Sequence, residues 1–233
     1  MASVDTRKIE LTEEDIENNK QRFISLLDFP NHKEWKKEST IKYLMAHDFF
    51  TAPASTIFHG CCKGGLCYHT LSVYDTLCKY IKMAFPDTID EETGETVSTC
   101  PYSEESIRLV ALFHDISKTD VYKEDYRNVK QYSDDGKKFD ELGRFDWVAE
   151  KIYKMKEPED RLSFGTHAET SLYMTRTFFP DLTMDEATAI LHHMGRTIDW
   201  NDKDVAPSVY NKNPLALLLH QADEYSALYA ERV

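Results

Sequence analysis

No apolar run in the 233 residues approaches the ~20 that a membrane-spanning helix needs, so an integral membrane protein is not expected. Basic residues are in deficit. Against 41 acidic side chains stand 28 lysines and arginines, a net charge of −13, which argues against a protein that coats nucleic acid or binds duplexes stably. The opening stretch MASVDTRKIELTEED is polar and acidic, so no secretory signal is expected. Five cysteines is an odd number, and Cys61 adjoins Cys62; this suits reduced thiols in a cytoplasmic setting, not a disulfide frame. No second cysteine cluster completes a tetrahedral zinc site with Cys61, Cys62 and Cys67. There is no internal repeat and no low-complexity tract. The absence of a G-x-x-x-x-G-K-[ST] loop and of a G-x-S-x-G elbow leaves NTP-driven and serine-hydrolase chemistry without support.

Enough apolar side chains are present for a core. They make up 41% of the chain and aromatics 12%, spread evenly, which excludes disorder of the whole. The length suits one large domain or one domain with an added subdomain. Most of the pattern is helical. Thr12-Glu13-Glu14-Asp15 has the form of a capping box, and Ile16, Phe23 and Leu27 follow at helical spacing. Pro30 and Asn31 close that helix, and a second is expected over 35–47. After the break at Gly64-Gly65, a long amphipathic helix is expected over 66–84, with Leu66, Val73, Leu77, Tyr80 and Ile81 as its stripe. Residues 85–102 read as a loop, and Ser103 caps a helix with Ile107, Val110, Ala111 and His114 on one face. Three more helices are expected towards the C-terminus, started by Thr166, by Thr183 with Glu186, and by Asn213-Pro214.

Residues 120–146 differ. A short strand over 126–132, a turn at Ser133-Asp134-Asp135-Gly136 and a second strand through Phe139 read as an inserted β-hairpin. Helical spacing is expected to resume over 146–155. The fold expected is thus an all-α helical bundle with a small β-hairpin inserted at about 120–146. Residues 1–60 form a helical segment packed on the core, and 61–233 form the main domain.

The nine histidines matter by where they fall on their helices. His69 lies four residues before Val73, and His114 three after Ala111, both on buried stripes. His167 shares a face with Ser171, Met174 and Phe178. Asp223 shares one with Ala216, Leu219 and Ala227. Four ionisable groups from four helices therefore point inward. A single such histidine is usually a hydrogen-bonded core residue, but a buried carboxylate is costly unless paired or metal-bound. Imidazole and carboxylate together suit Mn, Fe, Co, Ni or Zn, with Mg less suited.

Gly64-Gly65-Leu66-Cys67-Tyr68-His69, Leu112-Phe113-His114-Asp115-Ile116-Ser117-Lys118 and Leu219-His220-Gln221-Ala222-Asp223, in that order, resemble the motifs of the HD-domain superfamily of metal-dependent phosphohydrolases. The resemblance covers about 60–230. It is nearest the HD exoribonucleases that trim 3′ ends, here without their nucleic-acid-binding extra domain, and the diiron nucleotide hydrolases. Gly165-Thr166-His167 and Leu191-His192-His193-Met194-Gly195 resemble the further histidine positions of the two-metal members.

What the resemblance implies is a binuclear centre. His69, His114, Asp115 and Asp223 would hold one divalent ion, Asp115 would bridge, and His167 with His192 would hold the second. Helical phase puts His193 nearer the apolar face, while spacing to Gly195 in the diiron hydrolases favours His192. It further implies a cytoplasmic phosphohydrolase or phosphodiesterase. A metal-bound hydroxide would attack phosphorus in a nucleotide or short oligonucleotide, and Lys118 would steady the phosphoryl oxygens. His220 is a candidate for orienting Asp223, or a packing residue. His59 is a loop residue within reach, with a surface place the plainer reading. Lys123 and Arg144, beside Tyr126 and Arg127, are candidates to bind a nucleobase or phosphate tail, against the plainer reading of a solvated hairpin. The rival classes are a diiron oxygenase with the same ligands and a nucleotide-binding module without turnover. Oligomeric state is not legible.

Overall fold

The computed structural model describes residues 9–162, 165–195 and 205–231; the readings made on 1–8 and 232–233 lie outside them. Helix α1 spans Glu13–Ser25, α2 Lys37–Ala46, α3 Gly65–Ala84 and α4 Glu104–Phe113. Between α3 and α4 lie two short strands, β1 (Thr88–Ile89) and β2 (Thr96–Val97). A 3-10 turn, Ile116–Lys118, leads into β3 (Tyr122–Tyr132), β4 (Lys138–Asp140) and β5 (Gly143–Met155), and a second, Pro158–Asp160, follows them. Helices α5 (His167–Phe178), α6 (Met184–His192), α7 (Val205–Lys212) and α8 (Pro214–Tyr225) follow, and a π-helical turn, Ser226–Ala230, extends α8.

The helix starts follow side-chain chemistry. Thr12, Thr166 and Thr183 each cap a helix reciprocally with the acid three residues on, and Ser103 and Asn213 cap α4 and α8. Helix α3 buries Leu66, Val73, Leu77 and Ile81 and packs on α1, α4 and α8. In the N-terminal segment Phe23 packs on Phe49 and reaches Phe113, and Phe29 meets Phe113 and Phe179, with ring centroids 4.9–6.5 Å apart. The first 60 residues therefore share one core with the later helices.

An all-α description is overturned. Two sheets accompany the helices, giving a helix-rich mixed α/β architecture. Residues 85–102, read as a loop, contain the antiparallel β1–β2 pair. Residues 146–155, read as helix, make up most of β5. That strand pairs with β3 along its whole length, from Tyr122 opposite Met155 to Tyr132 opposite Phe145, and with β4 at its other edge. The helical spacing of Val148 and Ile152 competes with aromatics at Phe145, Trp147 and Tyr153, and cross-strand pairing decides. Arg127 meets Glu150 at 2.8 Å, Lys154 meets Asp125 at 2.6 Å, and Lys151 meets Glu124. The result is a largely exposed three-stranded sheet, ordered β3–β5–β4 and dominated by the long β3–β5 ribbon, in place of a small hairpin.

Candidate metal centre

Five polar side chains from separate segments converge on Asp115. His69 comes from α3, whose start is fixed by Gly64 and Gly65. Gly64 has φ +79, and a Cβ on Gly65 would stand 2.0 Å from the Gly60 carbonyl oxygen. Only glycine allows the 60–64 loop to cross the helix start so closely. His114 continues α4 by one residue (φ −56, ψ −34), and Asp115 (φ −111, ψ 16) then turns the chain into the 3-10 segment. That segment is pinned to α5: Ser117 Oγ donates to the His167 carbonyl at 2.9 Å, and Ser171 Oγ donates to Ser117 Oγ, also at 2.9 Å. His167 is the first residue of α5, His193 follows the last residue of α6, and Asp223 lies on α8.

The Asp115 carboxylate faces two ways. Its Oδ2 lies 3.5 Å from both His69 Nε2 and His114 Nε2, and Asp223 Oδ1 stands 3.1 Å and 3.9 Å from the same two nitrogens. Its Oδ1 lies 3.6 Å from both His167 Nε2 and His193 Nε2, which are 3.2 Å apart. His69 Nε2, His114 Nε2 and Asp115 Oδ1 are buried and form no hydrogen bond among the described residues. Donors bound to one ion at about 2.1 Å stand roughly 3.0–3.5 Å apart, so these separations suit two cations that share Asp115. The imidazole tautomers agree. Nδ1 of His114 is 2.8 Å from the Ala111 carbonyl oxygen and Nδ1 of His193 is 2.7 Å from that of Ile190. A carbonyl only accepts, so the proton sits on Nδ1 and Nε2 keeps its lone pair.

Glu231 belongs to the centre and was missing from the sequence reading. Its Oε1 lies 2.6 Å from His69 Nδ1, and its residue is buried. This is the carboxylate–histidine arrangement that orients a metal-binding ring and raises its basicity. Glu231 is eight residues beyond Asp223, which ideal helical phase sets off that face. The π turn rotates less per residue and closes with Glu231 N–H donating to Ser226 O at 3.1 Å, returning the side chain to His69.

The electrostatics ask for cations. Two buried carboxylates, Asp115 and Glu231, and the part-buried Asp223 gather near one ammonium, Lys118, whose Nζ is 2.6 Å from Asp115 Oδ2. Burial alone would raise the Asp115 and Asp223 pKa values, but Lys118 and the histidines hold Asp115 well below the usual carboxylate range, and His69 and His114 lower Asp223. Burial opposes a charge on His69, yet Glu231, Asp115 and Asp223 push its pKa well up. Burial takes His114 down to about 4. The three acids that favour positive charge at His69 are the ones a metal ion would satisfy.

Other expected residues fall elsewhere. His192 does not reach Asp115; the side chain that does is its neighbour His193, and the His192 carbonyl accepts from the Tyr210 hydroxyl at 3.0 Å. His220 does not orient Asp223. Its Nδ1 meets the His193 carbonyl at 2.8 Å, and a Cβ on Gly195 (φ +73) would stand 2.6 Å from its ring. Lys123 pairs with Glu157 at 3.5 Å, and Arg144 Nη1 donates to the Gly136 carbonyl at 3.3 Å, bracing the hairpin turn. His59, by contrast, is no surface residue. Its ring centroid lies 4.6 Å from that of His69, its Nε2 is buried without a partner among the described residues, and burial takes its pKa down to about 3.

No protein-family model, curated protein or solved structure matches the chain. The described residues include no helix long and apolar enough to cross a membrane.

Proposed function

We propose that the protein is a binuclear metal-dependent phosphohydrolase of the HD type, cleaving a phosphoester or phosphoanhydride bond in a nucleotide or short oligonucleotide. The observation that carries this reading is the two-sided Asp115 carboxylate, with two imidazoles on each side and Asp223 completing one of them. His69, His114, Asp115 and Asp223 would hold one ion; Asp115, His167 and His193 would hold the other. Mixed imidazole and carboxylate donors suit Mn, Fe, Co, Ni or Zn.

Divalent ions held by these residues would supply Lewis acidity and lower the pKa of bound water. The residues do the rest. With the imidazoles neutral, three carboxylates and Lys118 sum to two negative charges, which two divalent ions would turn into two positive ones, inside a protein of net charge −13. An anionic substrate is attracted there and little elsewhere. Lys118 lines the adjoining cleft while touching Asp115, so its ammonium can turn to phosphoryl oxygens without leaving the site. Glu231 keeps the His69 ring in place, and Ser117 and Ser171 fix the distance between the two histidine pairs. A cationic wall beside the centre favours phosphoryl chemistry over oxidation of a neutral substrate.

Protein purified with Mn, Fe, Co, Ni or Zn is expected to hold close to two ions per chain and to release phosphate or nucleotide from a substrate panel. Asp115→Ala is expected to lose both ions and at least a thousandfold of the activity while keeping its helical circular dichroism. Full turnover in that variant, or two ions still bound, overturns the proposal.

A further inference from the structure

Several clefts among the described residues carry charged walls, one of them at the hairpin turn, where Asp134 and Arg144 both contribute. The largest, about 580 Å³, lies between α3, the β1–β2 pair and α4, and mixes Lys82 with Asp87 and Glu104. A second, beside β5, presents Arg127, Lys151 and Lys154, but each of these is already paired across the ribbon with Glu150, Glu124 and Asp125. The third, about 300 Å³, opens directly off the candidate centre. Lys118 and His167 line it on the side of the centre, Tyr122 and Met155 come from the paired roots of the ribbon, and Arg161 stands against Met155.

This third cleft is the one with unspent positive charge. No carboxylate is among its described lining residues. Arg161 makes no ion pair among the described residues; its Nε is buried without a hydrogen-bond partner, and its Nη1 has only the Met155 thioether at 3.6 Å. A thioether is a weak acceptor, so a guanidinium able to grip an oxyanion with two parallel bonds is left with its capacity unused. The Tyr122 hydroxyl lies within electrostatic reach of both Lys118 and Arg161 and adds a neutral donor. Burying an unpaired guanidinium donor costs stability, and a bound anion removes that cost.

We propose that Arg161 and Tyr122 form a subsite for a second phosphoryl group of the substrate, next to the one cleaved at the metal centre. The inference rests on the phosphohydrolase reading and narrows it. The substrate carries at least two phosphoryl groups in series, as in a nucleoside polyphosphate or an oligonucleotide, and a nucleoside monophosphate fills only part of the site.

The test is titration calorimetry on the metal-loaded protein, with chelation by the probes subtracted in blank titrations, using orthophosphate and two uncleavable two-phosphoryl probes, methylenediphosphonate and 5′-phosphorylated dithymidine with a phosphorothioate link. At least one of the two-phosphoryl probes is expected to bind ten times or more tighter than orthophosphate, and whichever is tighter names the source. Arg161→Met is expected to abolish the preference and Arg161→Lys to restore part of it, with metal uptake unchanged in both. No preference in the wild-type protein, or a preference that survives Arg161→Met, overturns the subsite. Normal metal uptake with no dependence on Arg161 removes the subsite and leaves the centre standing. No metal uptake with Arg161-dependent binding does the reverse.

Discussion

His193 presents Nε2 to Asp115 at 3.6 Å, while His192 beside it does not, so alanine at the two positions has opposite expected outcomes. His193→Ala should hold one ion per chain and lose most of the activity; His192→Ala should hold two. Elemental analysis of the purified variants decides it, and equal metal content would refute the assignment. Glu231→Gln keeps the shape and a weaker contact to His69 but loses the charge, and should weaken metal affinity by about 10–100-fold, read by competition with a chelator. At this scale the inward phase of His69, His114, His167 and Asp223 was legible, because each sits among apolar residues at helical spacing. His193 was ambiguous, because it follows the last residue of α6, where local cap geometry and not periodicity fixes direction. Glu231 was hidden by the π turn, and Arg161 by a loop with no period to read.

Helices α1, α3, α4, α5, α6 and α8 could be read from their caps and apolar stripes, whereas the ribbon could not be read beyond its turn. Its strands are exposed on most positions, so neither period is imposed by burial, and partners in the other strand decide. A buried polar contact links the loop after α1 to α6. His32 Nε2 is 3.1 Å from Glu186 Oε1, which also accepts from Ser106 Oγ at 2.7 Å. The Glu186 contact raises the His32 pKa above its ordinary 6.5, against burial. Burial works against charged Glu186, but His32 and Ser106 lower its pKa below the ordinary 4.5. The His32 contribution is complete below 6.5 and fades as pH rises through its folded value; that of Glu186 is complete above 4.5 and fades as pH falls through its own. The stability gap between wild type and His32→Gln should therefore be widest between 4.5 and 6.5 and narrow towards both pH 3 and pH 9. Melting curves across that range check it; a gap independent of pH would show that the pair is not charged.

For the molecule as a whole, three acids gathered in one largely buried place, Asp223 at its edge, make the centre a source of instability until cations fill it. Adding an ion at about a hundred times its Kd should stabilise the fold by about 2.7 kcal/mol. In a chain of this size that raises Tm by roughly 5–10 °C, and stripping by a chelator should reverse it. Scanning calorimetry with and without chelator measures the shift; its absence would mean the ligands are not brought together in solution. One carboxylate serving both halves of the centre has a consequence over evolutionary time. A replacement at position 115 cannot be repaired in one half without loss in the other, so descendants of this sequence that abandon Asp115 are expected to have surrendered the two ions together, never singly.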